Sequence, residues 1–367
     1  MPKVSVVIPT KNRATLVAKA IDKIECQTVP REHYEVIAID NNSIDDTRAV
    51  LEQKAVTYPN LKSGVQKKPG AGATRNAGLE MASGDIVLFI DDDVQAEPGL
   101  IEAHLDCHQK NSNVSAIGSV TMPWGETPDP FLRYLRDHGI FTPYLPSKGP
   151  IDFSSYHTCN ASTPAKTLLN TGGFNECFKI YGMEDIELGY RLETNGCRMV
   201  FAPDAQAVHH RFPEFEEFVE RSERAGYSLG QFIRLHPELK NRFVENNRIA
   251  KRLRSIHSFY PLAAGAMSPF ITLLICWEKT RGSRQLSRLM DLHYNWSIRY
   301  HIFIGYNRFF RDQDGAFPEP ASPVQNGFAP RPAMKLRANS EFDGVVITPP
   351  NDTSPTVTLR ASSSTDR

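Results

Sequence analysis

The feature that most limits how this chain can fold is an alternation in its first 110 residues. Short apolar runs rich in Val and Ile stand at 4–8, 35–39 and 86–90. Between them, at 14–26, 46–54, 73–81 and 100–109, apolar residues recur at helical spacing. The run IVLFI at 86–90 suits a strand buried on both faces, and a strand–helix–strand rhythm closes most simply as a parallel sheet flanked by helices. The sequence therefore predicts an α/β domain with a doubly wound, mostly parallel sheet. In such sheets ligands bind beyond the carboxyl ends of the strands. Three of those ends are polar: Thr10-Lys11-Asn12-Arg13, Asp40-Asn41-Asn42 and Asp91-Asp92-Asp93. They are expected to converge on one crevice.

The three aspartates need something to offset their charge. In an extended chain residues i and i+2 point the same way, so Asp91 and Asp93 can share a ligand while Asp92 turns aside. Carboxylate oxygens suit a hard divalent cation, which can in turn bridge the oxygens of a diphosphate. A plainer reading is an Asp-rich turn that ends a strand, although capping a helix takes one Asp and not three. The enzymatic rival is an aspartyl phosphatase, which also sets Asp-x-Asp after an apolar strand and uses the first Asp as nucleophile. Against it, Gln95 stands where that family has Thr or Val, and the motif lies on a later strand.

Four segments, VSVVIPTKNR, EVIAIDNNSIDDT, GAGATRNAGLEMASGDIVLFIDDDV and GGFNECFKIYGMEDIELGYRL, follow one another within residues 3–212. In this order they resemble the signature blocks of family 2 glycosyltransferases, which have the GT-A fold. The resemblance implies a nucleotide-sugar donor, UDP- or dTDP-linked, and inverting transfer to a hydroxyl of a saccharide or lipid-linked acceptor. Pro9, Thr10 and Arg13 match the loop that lines the nucleotide pocket. Asp40 matches the carboxylate that accepts a hydrogen bond from the base, as an ionised Asp can from a pyrimidine N3–H. The alternative for Asp40 is an Asx turn with Asn42 and Ser43. Arg75 matches a position near the base or phosphates, its alternative being a solvated Arg on a helix surface.

The resemblance also makes Asp91 and Asp93 the D-x-D pair that holds Mn2+ or Mg2+. Asp92 is assigned to the donor's ribose or sugar. His209, in preference to His210, matches a histidine ligand placed after the last strand. In the Glu184-Asp185 pair, Asp185 matches the catalytic base, at a helix N-terminus whose dipole favours its ionised form. Glu184 is left to contact the acceptor. The Gln285–Leu289 segment lacks the Trp of the processive synthase motif, so a single, non-processive transfer is expected. A non-catalytic sugar-nucleotide or glycan-binding protein is the reading from another class.

The remainder of the 367-residue chain is less regular. Residues 121–155 are rich in Pro, Gly and aromatics and are expected to shape the site. His104 and His108 are expected on an exposed helix face. Six scattered cysteines without a C-x-x-C pair suggest a reducing compartment, and MPKVSVVIPTKNR enters a strand pattern at once, so no leader is expected. Formal net charge is zero, yet residues 240–311 hold thirteen Lys and Arg against three acids. A cytoplasmic location follows, with residues 240–311 bound at an anionic membrane face and no nucleic-acid partner. Residues 255–277 contain no Asp, Glu, Lys or Arg. They read as an interfacial element, a span, or soluble helices packed on the body. The division expected is a GT-A-like domain at 1–212, a basic helical extension at 213–311, and a disordered Pro/Ser/Thr-rich tail at 312–367.

Overall fold

The computed structural model describes residues 3–125, 129–139, 149–245 and 284–313. All of these lie in one unit, Met1–Phe328; the second, Ala329–Arg367, falls outside the described residues. Residues 246–283, which include the whole 255–277 segment, and the tail beyond residue 313 lie outside the described residues too.

The first half alternates as expected. The order is β1 (Val4–Thr10), α1 (Ala14–Ile24), β2 (Tyr34–Asp40), α2 (Thr47–Thr57), β3 (Leu61–Val65), α3 (Ala71–Met81) and β4 (Ile86–Ile90). Then come β5 (Val94–Ala96), α4 (Leu100–Lys110), β6 (Val114–Thr121), α5 (Pro130–Asp137), β7 (Gly149–Ile151) and β8 (Asn160–Pro164). The chain continues with α6 (Ala165–Thr171), α7 (Glu184–Thr194), β9 (Arg198–His209), α8 (Phe215–Leu235) and α9 (Arg284–Gln313). One nine-stranded sheet runs β3-β2-β1-β4-β8-β6-β9-β5, with β7 also paired to β9. Its β3-β2-β1-β4 half is parallel, whereas β8 is antiparallel to both β4 and β6.

Strand alternation divides the core between the two faces of the sheet. Val4, Val6 and Ile8 of β1 pack with Val17, Ile21 and Ile24 of α1 and Leu51 of α2. Val7 points the other way, into a cluster with Leu79, Phe89, Phe174, Leu188 and Leu192. Each fully buried aliphatic side chain contributes roughly 1.5–3 kcal/mol. At the opposite end of the strands from the polar loops, Glu35 is buried but well satisfied. It accepts from Ser5 Oγ (2.6 Å), from Ser83 N and Oγ (2.7 Å each) and from Lys62 Nζ (2.5 Å). Burial alone would raise its pKa, but these donors outweigh it and bring the carboxyl down to about 2.

β8 is polar yet buried, which explains the surroundings of α4. His104 is fully buried rather than on an exposed face. Its Nε2 pairs with Asn160 Oδ1 and its Nδ1 with Ser162 Oγ, both at 2.8 Å. His108 Nε2 meets the same Ser162 hydroxyl at 2.8 Å. The exposed-face expectation fails for His104 because the strand beneath α4 offers polar side chains that need partners.

α8 and α9 lie against each other at backbone distance. A Cβ at Gly226 would overlap the carbonyl of Ile302, and one at Gly305 would overlap that of Glu223. An aromatic cluster of Phe131, Tyr134, Phe215, Phe218 and Tyr294 joins α5 to both helices. Among the described residues no helix is long and apolar enough to cross a membrane.

Candidate functional site

The three polar strand ends do converge. Thr10 and Asp40 stand side by side in the β1–β2 register, with Pro9 half-buried opposite Ile39. The loops that follow are tied together: Asn12 N donates to Ser43 Oγ (2.7 Å), and Ile44 N donates to Asn12 Oδ1 (2.8 Å). Asn12 and Asn42 both adopt positive φ, 52° and 55°, which Asn tolerates better than most residues. Asp40 is buried and accepts the Ser43 N–H (3.0 Å) and the Ser43 hydroxyl. Its carboxylate thus makes a local turn with Ser43.

The acidic end of β4 is compensated by arginines. Arg13 Nη1 bonds Asp92 Oδ1 at 2.6 Å and Asp93 Oδ2 at 3.0 Å, while Thr10 Oγ1 donates to Asp92 Oδ2 at 2.7 Å. Both oxygens of Asp92 are therefore engaged by the β1 loop. Burial, opposed by Arg13 and reinforced by Asp93, raises its pKa to about 6. Asp93 faces His209: Asp93 Oδ1 lies 3.5 Å from His209 Nε2, and His210 N donates to Asp93 O at 2.8 Å. This juxtaposition follows from pairing of β5 with β9, which sets Val94 opposite His209. Burial lowers the His209 pKa against the pull of Asp93 and Asp91, which favours a neutral imidazole.

Among the described residues no three acidic, His or Cys side chains are gathered closely enough to form a closed metal cage. Asp93 and His209 nonetheless offer one carboxylate and one imidazole side by side, a donor pair that suits an open site for a borderline-to-hard divalent cation such as Mn2+. Asp91 is turned toward Arg75, whose Nη2 is 2.8 Å from its Oδ1.

Arg75 is not a solvated surface residue. It is buried in α3, and its guanidinium carbon lies 5.6 Å from the centre of the Phe174 ring. Besides Asp91 it reaches Glu184 Oε1 (3.4 Å) and Asp185 Oδ1 (3.5 Å) through Nη1. One guanidinium therefore spans from the end of β4 to the start of α7. Gly70 lets α3 begin here: its φ is 115°, and a Cβ would sit 2.9 Å from Phe178 O. Glu184 is buried, and burial with Asp185 beside it raises its pKa to about 7 despite Arg75.

α7 starts under strain, with Met183 at φ 68° and no side-chain cap. Glu184 Oε2 accepts instead from Gly182 N (3.1 Å). Asp185 is held by a residue that no motif pointed to. Thr158, fully buried, donates its N–H to Asp185 Oδ2 (3.1 Å) and its hydroxyl to Oδ1 (2.9 Å). It stands two residues before β8, in HTCN, where nothing in composition or spacing sets it apart.

Comparison with known proteins agrees with this geometry. Residues 5–168 match the family described as glycosyl transferase family 2, and residues 145–221 match the N-terminal domain of galactosyltransferase. Validoxylamine A glucosyltransferase of Streptomyces hygroscopicus subsp. jinggangensis is 30% identical over 270 residues, 65% of this chain and 62% of that protein. The GalNAc(5)-diNAcBac-PP-undecaprenol beta-1,3-glucosyltransferase of Campylobacter jejuni is 38% identical over 103 residues, 28% of this chain and 33% of that one. The chain thus spans about 62% or less of the length of these curated relatives. A solved mannosyltransferase of Pyrobaculum calidifontis, in complex with GDP-Man and Mn2+, superposes with TM-score 0.54 at 19% identity, covering 85% of this chain and 88% of that one. That likeness shows the fold. With the four sequence blocks in order and their residues around one crevice, residues 5–168 belong to the family 2 glycosyltransferases, and the chain has the GT-A fold.

Proposed function

We propose that this protein transfers a sugar, with inversion, from a nucleotide-sugar donor to a hydroxyl of a saccharide or lipid-linked acceptor, one residue per encounter. The observation that carries the proposal is the bridge made by Arg75. It brings the acidic end of β4 and the Glu184–Asp185 pair within the span of one guanidinium. A donor diphosphate held at the first and an acceptor hydroxyl held at the second would meet at the anomeric carbon.

Asp93 and His209 would hold Mn2+ or Mg2+, with Asp91 close by. When bound, the ion offsets the charge that builds on the departing nucleoside diphosphate. Asp185 accepts the proton of the acceptor hydroxyl as that oxygen bonds to the anomeric carbon and the carbon–diphosphate bond breaks on the opposite side. Thr158 orients Asp185 for this, and Glu184, neutral or charged near pH 7, contacts the acceptor. Arg13, Thr10 and Pro9 line the nucleotide side, Asp92 fixes Arg13 there, and Asp40 contacts the base once Ser43 yields to it. The donor is UDP- or dTDP-linked in this reading.

The acceptor class rests on the Campylobacter relative, whose name specifies a lipid-linked substrate. Residues 240–311, with their excess of Lys and Arg, would hold the protein at the cytoplasmic face of an anionic membrane. The functional division we propose is a donor- and acceptor-handling domain at 1–212, a basic extension at 213–311 and a non-catalytic tail.

Mass spectrometry after incubation with a panel of UDP-, dTDP- and GDP-sugars, Mn2+ and candidate acceptors tests the reading. Expected are nucleoside diphosphate and a glycosylated product of inverted anomeric configuration. The Asp185→Asn variant should lose turnover while still binding the donor. Release of inorganic phosphate from simple esters, without sugar transfer, would refute it.

A further inference from the structure

One arginine beside the crevice is not engaged by the acids that tie up Arg13 and Arg75. α8 packs on the loop that leads into Glu184. Ser228 Oγ donates to Tyr181 O at 3.1 Å, and a Cβ on Gly182 would lie 3.0 Å from Ala225 Cα. This contact lays Arg221 of α8 against Tyr181. The guanidinium carbon sits 4.0 Å from the ring centre, and Nη2 is 2.5 Å from the phenol oxygen. Tyr181 is 46% exposed, so the pair stands at an open rim. Among the described residues Arg221 makes a hydrogen bond to Tyr181 and no ion pair. Stacking fixes the plane of the guanidinium and leaves most of its N–H fork free, the geometry that binds a phosphoryl group through two hydrogen bonds.

The surroundings explain why such a cation is needed. Asp91, Asp92, Asp93, Glu184 and Asp185 are offset within the crevice by Arg13 and Arg75, both already bonded to them. Five carboxylates against two guanidiniums repel a diphosphate, and a divalent ion at Asp93 and His209 would leave no excess of positive charge to hold it. Tyr181 stands directly before Gly182, whose N–H is donated to Glu184 Oε2 at 3.1 Å, and Arg75 links Glu184 to Asp91, so the Arg221–Tyr181 pair borders the crevice at the start of α7.

We propose that Arg221, oriented by Tyr181, binds the distal phosphate of a nucleoside diphosphate in this crevice. The inference rests on the nucleotide-sugar reading above and adds a donor contact from α8, outside the loops that carry the sequence motifs. It places the cation where charge accumulates on the leaving group as the glycosidic bond breaks.

Isothermal titration calorimetry on the full chain with Mn2+ tests it. UDP, dTDP and GDP are titrated first, and the tightest binder is then compared with its monophosphate. Arg221→Gln is expected to weaken the diphosphate at least tenfold and the monophosphate less than threefold, with Arg221→Lys between wild type and Gln. Tyr181→Leu, which keeps the charge and removes the platform, should weaken the diphosphate by a smaller factor of the same kind. Equal effects on diphosphate and monophosphate, or no effect on either, would overturn the role of Arg221 while leaving the nucleotide-sugar reading in place. If wild type binds none of the three diphosphates, both the reading and the inference fall. Circular dichroism and melting temperature of each variant separate these outcomes from misfolding.

Discussion

Replacing Arg75 by Met tests how the crevice is held together when no ligand is present. The substitution keeps the volume of the side-chain stem and removes a buried charge that reaches Asp91 at 2.8 Å, Glu184 at 3.4 Å and Asp185 at 3.5 Å. Stripping one partner from a buried ion pair costs about 3–5 kcal/mol, because the remaining charge is left uncompensated. Here part of that cost is avoidable, since Glu184 can take up a proton. In the wild type burial and the neighbouring Asp185 already raise its pKa to about 7 from the ordinary glutamate value of 4.5. A carboxyl raised on folding binds its proton more tightly in the native state, so stability falls as pH rises from 4.5 through 7. Without Arg75 the folded pKa moves higher and the fall continues above pH 7, by at most about 1.4 kcal/mol per unit. The expected result is a stability gap between wild type and Arg75→Met that is level up to about pH 6.5 and wider by about 2 kcal/mol at pH 8.5. Urea unfolding followed by tryptophan fluorescence at those two pH values measures it. A second substitution, Glu184→Gln, should recover about half of the loss at pH 8.5 by removing the charge that Arg75 served. A gap that does not change with pH, or a double variant no better than the single one, would refute this account.

Thr158→Val, nearly isosteric, should lower kcat about tenfold by removing one hydrogen bond of about 1.5 kcal/mol from the base, with Thr158→Ser restoring most of it and KM for the donor unchanged. Steady-state kinetics of the two variants decides this. Glu35→Gln should cost about 3 kcal/mol at pH 5, where wild-type Glu35 is ionised when folded, and about half of that at pH 3. The sign follows because a depressed carboxyl pKa stabilises above the unfolded value and the benefit is lost as pH falls toward about 2. Equilibrium melts from pH 3 to 6 report it. His209→Ala and Asp93→Asn should each weaken Mn2+ binding by tenfold or more, read directly by electron paramagnetic resonance of free Mn2+ without any substrate. Gly305→Leu should destabilise the fold by several kcal/mol, since the added side chain meets the backbone of α8 at Glu223.

How much of this was legible depends on what holds each element. β1, β2, β4 and α7 announce themselves because their residues are apolar at a fixed period or preceded by acids at a helix start. β8 does not. Asn160, Ala161, Ser162 and Thr163 are buried there, and their partners lie far away in sequence, His104 among them. Polar strands satisfied by distant side chains have no periodic signature, and the same distance hid the surroundings of His104. α5 carried a readable start, Asp129 as N-cap followed by Pro130, but it lay inside a Pro- and Gly-rich stretch that reads as loop. In the crevice the acids and arginines stand within the motifs, whereas the residues that meet them from elsewhere do not. Thr158 meets Asp185 and Arg221 meets Tyr181 through placement alone, and either residue type is common on any protein surface.

The glycine contact between α8 and α9 sets a condition on recombination among relatives. Gly226 and Gly305 leave the two helix backbones touching, so their alignment tolerates no step in either direction. α8 in turn bears on Gly182 and Tyr181, just ahead of Glu184. A chimera that joins the first 212 residues of this chain to the C-terminal half of another family member would inherit a different helix pair beneath the loop that sets Asp185. Loss of turnover in such a chimera would need no change in any motif residue. Moving the crossover past residue 313, so that both glycines travel with the loop they support, should preserve it.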